Sequence, residues 1–402
     1  MPDRRSRREG RPGQGQRLSI EPFRLDVPDS DLADLRARLD LTRWPDELPD
    51  VGWAYGVPKS YLQDLVDYWR HDYDWRQAEQ RLNDWPQYTT TIDGATVHFA
   101  HLRSPEPDAT PLLLTHGWPG SLVEFTHVAG PLSDPRTYGG DLADTFHLVI
   151  PSIPGFPLSG PTRDTGWELL RIAEAWSVLM TRLGYQRYGV QGGDWGGGIS
   201  RELGRIHPEQ VIGVHLNLIP GAGATTEPTP EELEPLAPAE RERTWASWRR
   251  YQEWAKDKQG YADLQTTRPQ TLAYALTDSP VGQLAWIAEK FAEWSDPAST
   301  VDRDLLLTNV MLYWLTRTAG SAGRIYYERA HAPYWGQPPE PSATPTALLD
   351  LAHDNFIPLR HIADRTNNIV RWTSHPHGGH FAALEQPEIL VDDIRAFFRS
   401  LS

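Results

Sequence analysis

Three stretches of the chain carry residues able to do chemistry, and the densest is Gly192-Gly-Asp194-Trp-Gly-Gly-Gly198. Before it, Tyr188-Gly-Val-Gln191 reads as the end of a short buried strand. After it, Ile199, Leu203 and Ile206 recur at helical spacing up to His207-Pro208. A strand turning sharply into a helix, with glycines two before and two after one residue, is the pattern of a nucleophile elbow. The usual nucleophile there is Ser; here it is Asp194. A carboxylate with a reference pKa of about 4 is already ionised at neutral pH and needs no base in order to attack. Against an ester or amide it would have to form a mixed anhydride. Against an sp³ carbon with a leaving group it forms an alkyl ester that water can then cleave. Epoxides and alkyl halides are electrophiles of that kind, and a general base is left free for the second half-reaction. The plainer readings are a solvated Asp in a glycine-rich loop, or a phosphate cradle. The cradle fits poorly, because the spacing is not G-x-G-x-x-G and a carboxylate repels phosphate.

The second stretch, His116-Gly-Trp-Pro-Gly-Ser121, directly follows the apolar run Pro111–Thr115. A backbone N–H in such a loop can join that of the residue after the nucleophile to form an oxyanion hole, which nominates the N–H groups of Trp118 and Trp195. By itself the stretch is a turn signal, and His116 reads as a hydrogen-bonded structural residue. The third stretch is His375-Pro-His377-Gly-Gly-His380-Phe. A triad built on such an elbow runs nucleophile, acid, histidine, so His380, just before the last helix, is placed to be the base. A metal site built from these histidines with His353 or Asp354 is disfavoured, because glycines and Pro indicate a loop and not helical ligand spacing. His375 and His377 are expected to be exposed loop residues. For the acid, Asp350 and Asp354 compete. Asp350 falls inside an apolar strand pattern, whereas Asp354 lies in the loop after it, where catalytic groups are commoner. Asp354 is preferred.

These residues need elements to carry them. Ser30 can cap a helix with Leu32, Leu35 and Leu39 on one face, ended at Arg43-Trp44-Pro45. A second amphipathic helix fits Lys59 to His71, with Leu62, Leu65, Val66 and Trp69 inward. Tyr88–Ile92, the turn Asp93-Gly94 and Ala95–Phe99 alternate as a hairpin. Pro111–Thr115, Phe146–Ile150, Val211–Leu216, Thr346–Leu351 and Asn368–Trp372 are short apolar runs suited to buried strands, and helical patterns cover Trp167–Leu183 and Pro387–Leu401. Alternation of this kind implies a doubly wound α/β sheet. From Gly221 to about Pro341 the pattern is helical (Glu231–Lys258, Pro280–Trp294, Arg303–Thr318) and flanked by Pro-rich stretches. The expected organisation is therefore a disordered tail over 1–16, an N-terminal extension over 17–87, an α/β core over 88–220 and 342–402, and an inserted helical cap over 221–341. No internal repeat is present.

Composition narrows the function. Among 402 residues, 54 acidic against 39 basic side chains argue against a nucleic-acid binder, which would show a basic face. No apolar run approaches the roughly 18 residues that span a bilayer. The opening MPDRRSRREGR lacks the apolar stretch of a signal peptide, so a cytoplasmic protein is expected. The absence of cysteine removes disulfides, thiol nucleophiles and thiolate metal sites. Seventeen tryptophans are more than a plain core needs and suggest an aromatic-lined pocket.

From about Leu18 onward the chain resembles the microsomal-type epoxide hydrolases of the α/β-hydrolase superfamily. The matching stretches are HGWPGS, GGDWGGG, Thr277–Gly282 with Glu289-Lys-Phe291, Leu307–Trp314 and Gly378-Gly-His-Phe-Ala-Ala-Leu-Glu385. The resemblance implies an α/β-hydrolase fold with a cap, Asp194 as nucleophile, His380 as base and Asp354 as its acid. It also implies two cap tyrosines that hold and protonate the epoxide oxygen. The match to Lys258-Gln-Gly-Tyr261-Ala-Asp-Leu-Gln265 gives Tyr261, and that to Arg324-Ile-Tyr326-Tyr327-Glu328 gives Tyr326, with Tyr327 the neighbouring alternative. A Phe-Pro pair that relatives often carry before the acid is replaced by Leu351-Ala-His353, and the membrane-anchoring helix of some relatives has no counterpart. The implied enzyme turns an apolar or aromatic epoxide and water into a vicinal diol without cofactor or metal, in detoxification or natural-product biosynthesis. A homodimer stays open. The rivals are a haloalkane dehalogenase, which needs halide-binding N–H donors in place of the phenols, and a non-catalytic ligand-binding relative, which would have lost the nucleophile or base.

Overall fold

The computed structural model describes residues 19–299 and 301–401; the tail expected over 1–16 lies outside them. Nine strands form one sheet: β1 (Glu21–Phe23), β2 (Gln87–Ile92), β3 (Ala95–Leu102), β4 (Thr110–Thr115), β5 (Phe146–Pro151), β6 (Tyr188–Gly192), β7 (Val211–Leu216), β8 (Ser342–Leu351) and β9 (Asn367–His375). Their spatial order is β1-β2-β3-β5-β4-β6-β7-β8-β9. The β2–β3 hairpin closes on Asp93 (φ +46°) and Gly94 (φ +79°), both in the left-handed region that a tight two-residue hairpin turn requires. From β5 to β9 the strands run parallel, and Leu112, Leu113 and Leu114 of β4 are wholly buried, as expected where helices cover both faces.

The sheet order decides where chemistry can occur. Strand β4 lies between β5 and β6, so the chain reverses its direction of winding there. A crevice opens outside the carboxyl ends of the strands at such a point. Thr115 and Gly192, the last residues of β4 and β6, are register partners. The loops that follow these two strands are HGWPGS and the elbow, and they are thereby set side by side.

The two early helices, Asp29–Asp40 and Lys59–His71, bury the expected faces. Ser30 is not the cap of the first. Pro28 precedes the helix and Asp29 begins it, because Pro fixes its own φ near the helical value and needs no N–H partner. A helix over Trp75–Asn83 was not foreseen. Its sequence is mostly polar, but Asp74 caps it by accepting from Arg76 N and Gln77 N at 2.9 and 3.3 Å. The long pattern expected from Trp167 starts at Leu169, because the Glu168 carboxylate caps the Leu170 and Arg171 N–H groups.

Between β7 and β8 the described residues form helices and no strand. The helical run expected over 231–258 is two pieces, Pro230–Leu233 and Pro238–Asp257, because Pro238 can open a helix but cannot continue one. The helices Gly260–Thr267, Pro280–Trp294, Arg303–Thr316 and Arg324–Ala330 follow, and Pro387–Arg399 closes the chain. Among the described residues no helix is long and apolar enough to cross a membrane.

Candidate active site

Asp194 opens the helix Asp194–Ile206 with φ +49°, a backbone conformation that costs a non-glycine residue roughly 1–3 kcal/mol. The strain turns its carboxylate out of the sheet and toward the HGWPGS loop. Trp118 N–H donates to Asp194 Oδ1 at 2.7 Å, and His380 Nε2 lies 3.6 Å from Asp194 Oδ2. A Cβ on Gly117 would fall 2.5 Å from both Cβ and Oδ1 of Asp194, so only glycine lets the loop come this close. Trp195 N–H is one of the first donors of the helix, which have no intrahelical acceptor. It directly follows Asp194 in the chain.

His380 Nδ1 is 2.8 Å from Asp354 Oδ1, and the same oxygen accepts from Asn355 N–H at 2.6 Å. Burial opposes a charge on His380, yet the Asp354 and Asp194 carboxylates outweigh it and push its pKa well above the usual histidine value. Asp350 is elsewhere. It is buried in β8, where it pairs with Arg243 at 2.6 Å and accepts from Ser374 Oγ at 2.8 Å. The carboxylate beside His380 is that of Asp354 and not that of Asp350.

Opposite the nucleophile stand the two tyrosines, on the helices Gly260–Thr267 and Arg324–Ala330. The Tyr261 ring stacks on Trp118 (centroids 5.2 Å apart, 5° between planes), and the Tyr326 ring meets Trp195 edge-on at 4.6 Å. The two phenol rings are 6.0 Å apart. Burial, reinforced by the Asp194 charge, raises the pKa of Tyr261, and Tyr326 is driven up by burial, by Tyr261 and by Asp194. Both therefore remain proton donors. Tyr327 faces away, stacked on His331 at 3.8 Å.

The remaining histidines take structural places. His116 accepts from Ile153 N–H at Nε2 and donates to Gly117 O from Nδ1, and burial lowers its pKa to about 4. His377 is exposed as expected, but His375 ends β9 and is half-buried, because that strand runs three residues further than its apolar pattern. Among the described residues no cluster of three or more His, Asp or Glu could hold a metal.

Two family profiles match the chain: "Epoxide hydrolase N terminus" over residues 20–125 and "alpha/beta hydrolase fold" over residues 110–387. A Stigmatella aurantiaca protein provisionally named an epoxide hydrolase is 44% identical over 95% of this chain and 85% of its own length. Rabbit (Oryctolagus cuniculus) epoxide hydrolase 1 is 33% identical over 94% of this chain and 88% of its own. The solved Aspergillus niger epoxide hydrolase superposes with a TM-score of 0.84 at 34% identity, covering 96% of this chain and 97% of that one.

The chain belongs to the epoxide hydrolases. It has the α/β-hydrolase fold and is a hydrolase acting on epoxides.

Several residues of this epoxide hydrolase's site escaped the sequence reading because their contribution is tertiary. Asn309 and Tyr313, on the helix Arg303–Thr316, bond the carbonyls of Pro119 and Gly120 at 2.8 and 2.7 Å and so hold the loop that carries Trp118 N–H. Arg250 donates to the carbonyls of Ala352 and Asp354 at 2.9 and 3.0 Å. The Glu385 carboxylate accepts from Gly379 N–H and Phe381 N–H, both at 3.0 Å, clamping the peptide on either side of His380. His380 N–H itself donates to Trp294 O at 2.8 Å. Lys290 lies 4.7 Å over the Tyr261 ring. The matching stretches Glu289–Phe291, Leu307–Trp314 and Gly378–Glu385 contain Lys290, Asn309, Tyr313 and Glu385 without showing what each holds, and Arg250 lies in none of them.

Proposed function

We propose that this epoxide hydrolase works in two steps through an ester on Asp194, and that its substrate is an apolar or aromatic epoxide. The observation carrying the reading is a carboxylate whose oxygens are engaged by Trp118 N–H and His380, facing two buried phenols. Asp194 attacks a ring carbon while Tyr261 and Tyr326 donate to the oxygen, which would otherwise leave as an alkoxide. The ester carbonyl then occupies the donors of Trp118 and Trp195, water loses a proton to His380, and the acyl–oxygen bond breaks to release a vicinal diol. Alkylation itself prepares the base. Esterified Asp194 is neutral, so one of the charges that keep His380 protonated disappears; the imidazolium proton then restores the phenol that protonated the alkoxide, which leaves His380 free to take a proton from water. In this reading residues 221–341 act as the cap, 17–87 as the extension, and 88–220 with 342–402 as the catalytic core. The aromatic wall of Trp118, Trp195, Trp294, Tyr261 and Tyr326 supports a bulky apolar substrate, as in detoxification or natural-product biosynthesis.

The test is a single turnover in ¹⁸O-water. Label is expected in Asp194 and not in the first diol, and Asp194→Asn should form no prompt ester. Label passing straight into the diol would exclude the covalent route. The Trp294 indole N–H is buried without an acceptor among the described residues, and this favours halide displacement as a second reading. Chloride release from a 1-chloroalkane at a rate matching epoxide turnover would establish it.

A further inference from the structure

Beneath the nucleophile, on the side away from the tyrosines, the structure encloses a cavity of about 20 Å³, walled by Glu124, Asp194, His380, Thr115, Gln191 and Asn217 together with apolar side chains. That is room for about one water molecule, provided polar partners are present. They are. Thr115 Oγ1 and Gln191 Oε1 are buried and have no hydrogen-bond partner among the described residues, although Gln191 Nε2 donates to Asn217 Oδ1 at 3.1 Å. Buried polar atoms are rarely left unpaired in a folded chain, so two of them at one small cavity indicate a water that pairs them.

Glu124 is the unexpected member of the wall. It lies in the short helical turn Leu122–Phe125 after the HGWPGS loop, and it folds back beneath that loop. A Cβ on Gly120 would fall 1.5 Å from Glu124 Oε1. The two loop glycines thus make room for two carboxyl groups, Gly117 for Asp194 and Gly120 for Glu124. Burial raises the Glu124 pKa to about 8, with the Asp194 charge adding to the rise and His380 opposing it. At neutral pH the group is therefore mainly a neutral acid, with one oxygen able to accept and one O–H able to donate. The mechanism above gives it no task.

We propose that the water of the second step is taken from this cavity and that Glu124 is the residue that holds it against His380 and the Asp194 carbonyl carbon. The inference rests on the two-step reading. One O–H of the water points to His380 Nε2, and the other to the Glu124 carbonyl oxygen. The oxygen lone pair then faces the ester carbon from beneath, while the alkyl group leaves toward the tyrosines. The water O–H to His380 breaks as the new O–C bond to Asp194 forms. The alkyl C–O–acyl link opens at the acyl carbon, and the imidazolium proton goes to the departing diol oxygen. Glu124 keeps its own proton throughout. It is a positioning residue, acting through the water.

The experiment separates the half-reactions by rapid quench and intact-mass measurement of the ester, using styrene oxide as the probe. Glu124→Leu, which removes the acceptor, should form ester within about twofold of the wild-type rate but hydrolyse it at least about tenfold more slowly, since misplacing a reactant by an ångström can cost about a hundredfold. Glu124→Gln keeps a carbonyl acceptor and should retain most of the rate. In the Leu variant ester would accumulate, and kcat and KM would fall together. Ala383→Val, which adds bulk to the cavity wall and replaces no titratable group, should give the same selective loss and decides alone if the Leu variant does not fold. Ester hydrolysis at the wild-type rate in the Leu and Val variants, or ester formation impaired as much as hydrolysis, overturns the role of Glu124 and its cavity. A wild-type enzyme that forms no ester is a different result, which overturns the two-step reading.

Discussion

At the scale of single residues, the site separates its work by where each charge can be tolerated. Asp194 is reached by a backbone donor and an imidazole, so it can be an anion at the end of an apolar pocket. Tyr261 and Tyr326 are too buried to ionise at rest, and in the proposed mechanism they give up a proton only as an alkoxide develops. Tyr261→Phe and Tyr326→Phe should each slow ester formation by about a hundredfold, the lower end for a positioned acid, and the double variant by more. Ester hydrolysis, measured on preformed intermediate, should be nearly unchanged. A single-variant loss falling equally on both half-reactions would show that the phenols shape the pocket without donating.

At the scale of elements, the site depends on how closely β4 and β6 can bring their loops together. The helix after the elbow begins against the end of β4, and a Cβ on Gly196 would fall 1.9 Å from Thr115 O. Backbone cannot swing aside as a side chain can. Gly196→Ala should therefore cost at least about 1–3 kcal/mol, the usual range for forced overpacking, and reduce ester formation by displacing Asp194 from Trp118 N–H. A melting temperature and burst amplitude equal to wild type would show that the contact relaxes freely. The same level explains what could be read from residues alone. The elbow, the HGWPGS loop and His380 are local patterns, each following a strand whose apolar run is unmistakable, so their neighbourhood follows once the sheet is assumed. That Asp354 and not Asp350 would lie beside His380 was also legible, because a residue past the strand end reaches the crevice and one within the strand does not. Glu124, Arg250 and Glu385 were not legible as site residues. Each is an ordinary charged residue in its own segment, and only the return of the chain brings it to the loops it supports. The helix Trp75–Asn83 was lost for the opposite reason: its apolar face is three residues wide in a polar sequence, while its cap, Asp74, is a single atom's worth of signal.

At the scale of the whole molecule, stability gathers in a second buried polar centre away from the chemistry. Asp393 of the closing helix accepts from His215 of β7 at 3.0 Å, and from Arg371 and Thr373 of β9 at 2.9 and 2.7 Å. Burial alone would raise its pKa, but these donors prevail and hold it far below the usual carboxylate range. A depressed carboxylate stabilises the fold above its unfolded value, near 3.9, and loses that contribution as pH falls from there toward the folded value. Acid unfolding should therefore steepen below about pH 4. Asp393→Asn should lose roughly 3–5 kcal/mol at neutral pH, as expected when one partner of a buried network is neutralised, and should show a flatter acid limb in denaturant titrations. An acid limb identical to wild type would assign the network no share in pH stability.

The helices between β7 and β8 do not merely lie over the crevice. They grip the catalytic loops by backbone atoms: Trp294 O takes His380 N–H, Arg250 holds the carbonyls around Asp354, and Asn309 and Tyr313 hold those of the HGWPGS loop. A lid that hinged open would carry His380, Asp354 and the Trp118 loop with it, and under the proposed mechanism would dismantle the machinery at each admission of substrate. Traffic must instead pass a fixed wall by the turning of side chains, so the size of the largest guest is set by aromatic rotamers. For the same reason the wall and the chemistry form one inherited unit. A pocket transplanted from a relative would arrive with foreign grips on the triad, and selection for a new substrate has to proceed by replacing wall side chains while leaving these anchors in place.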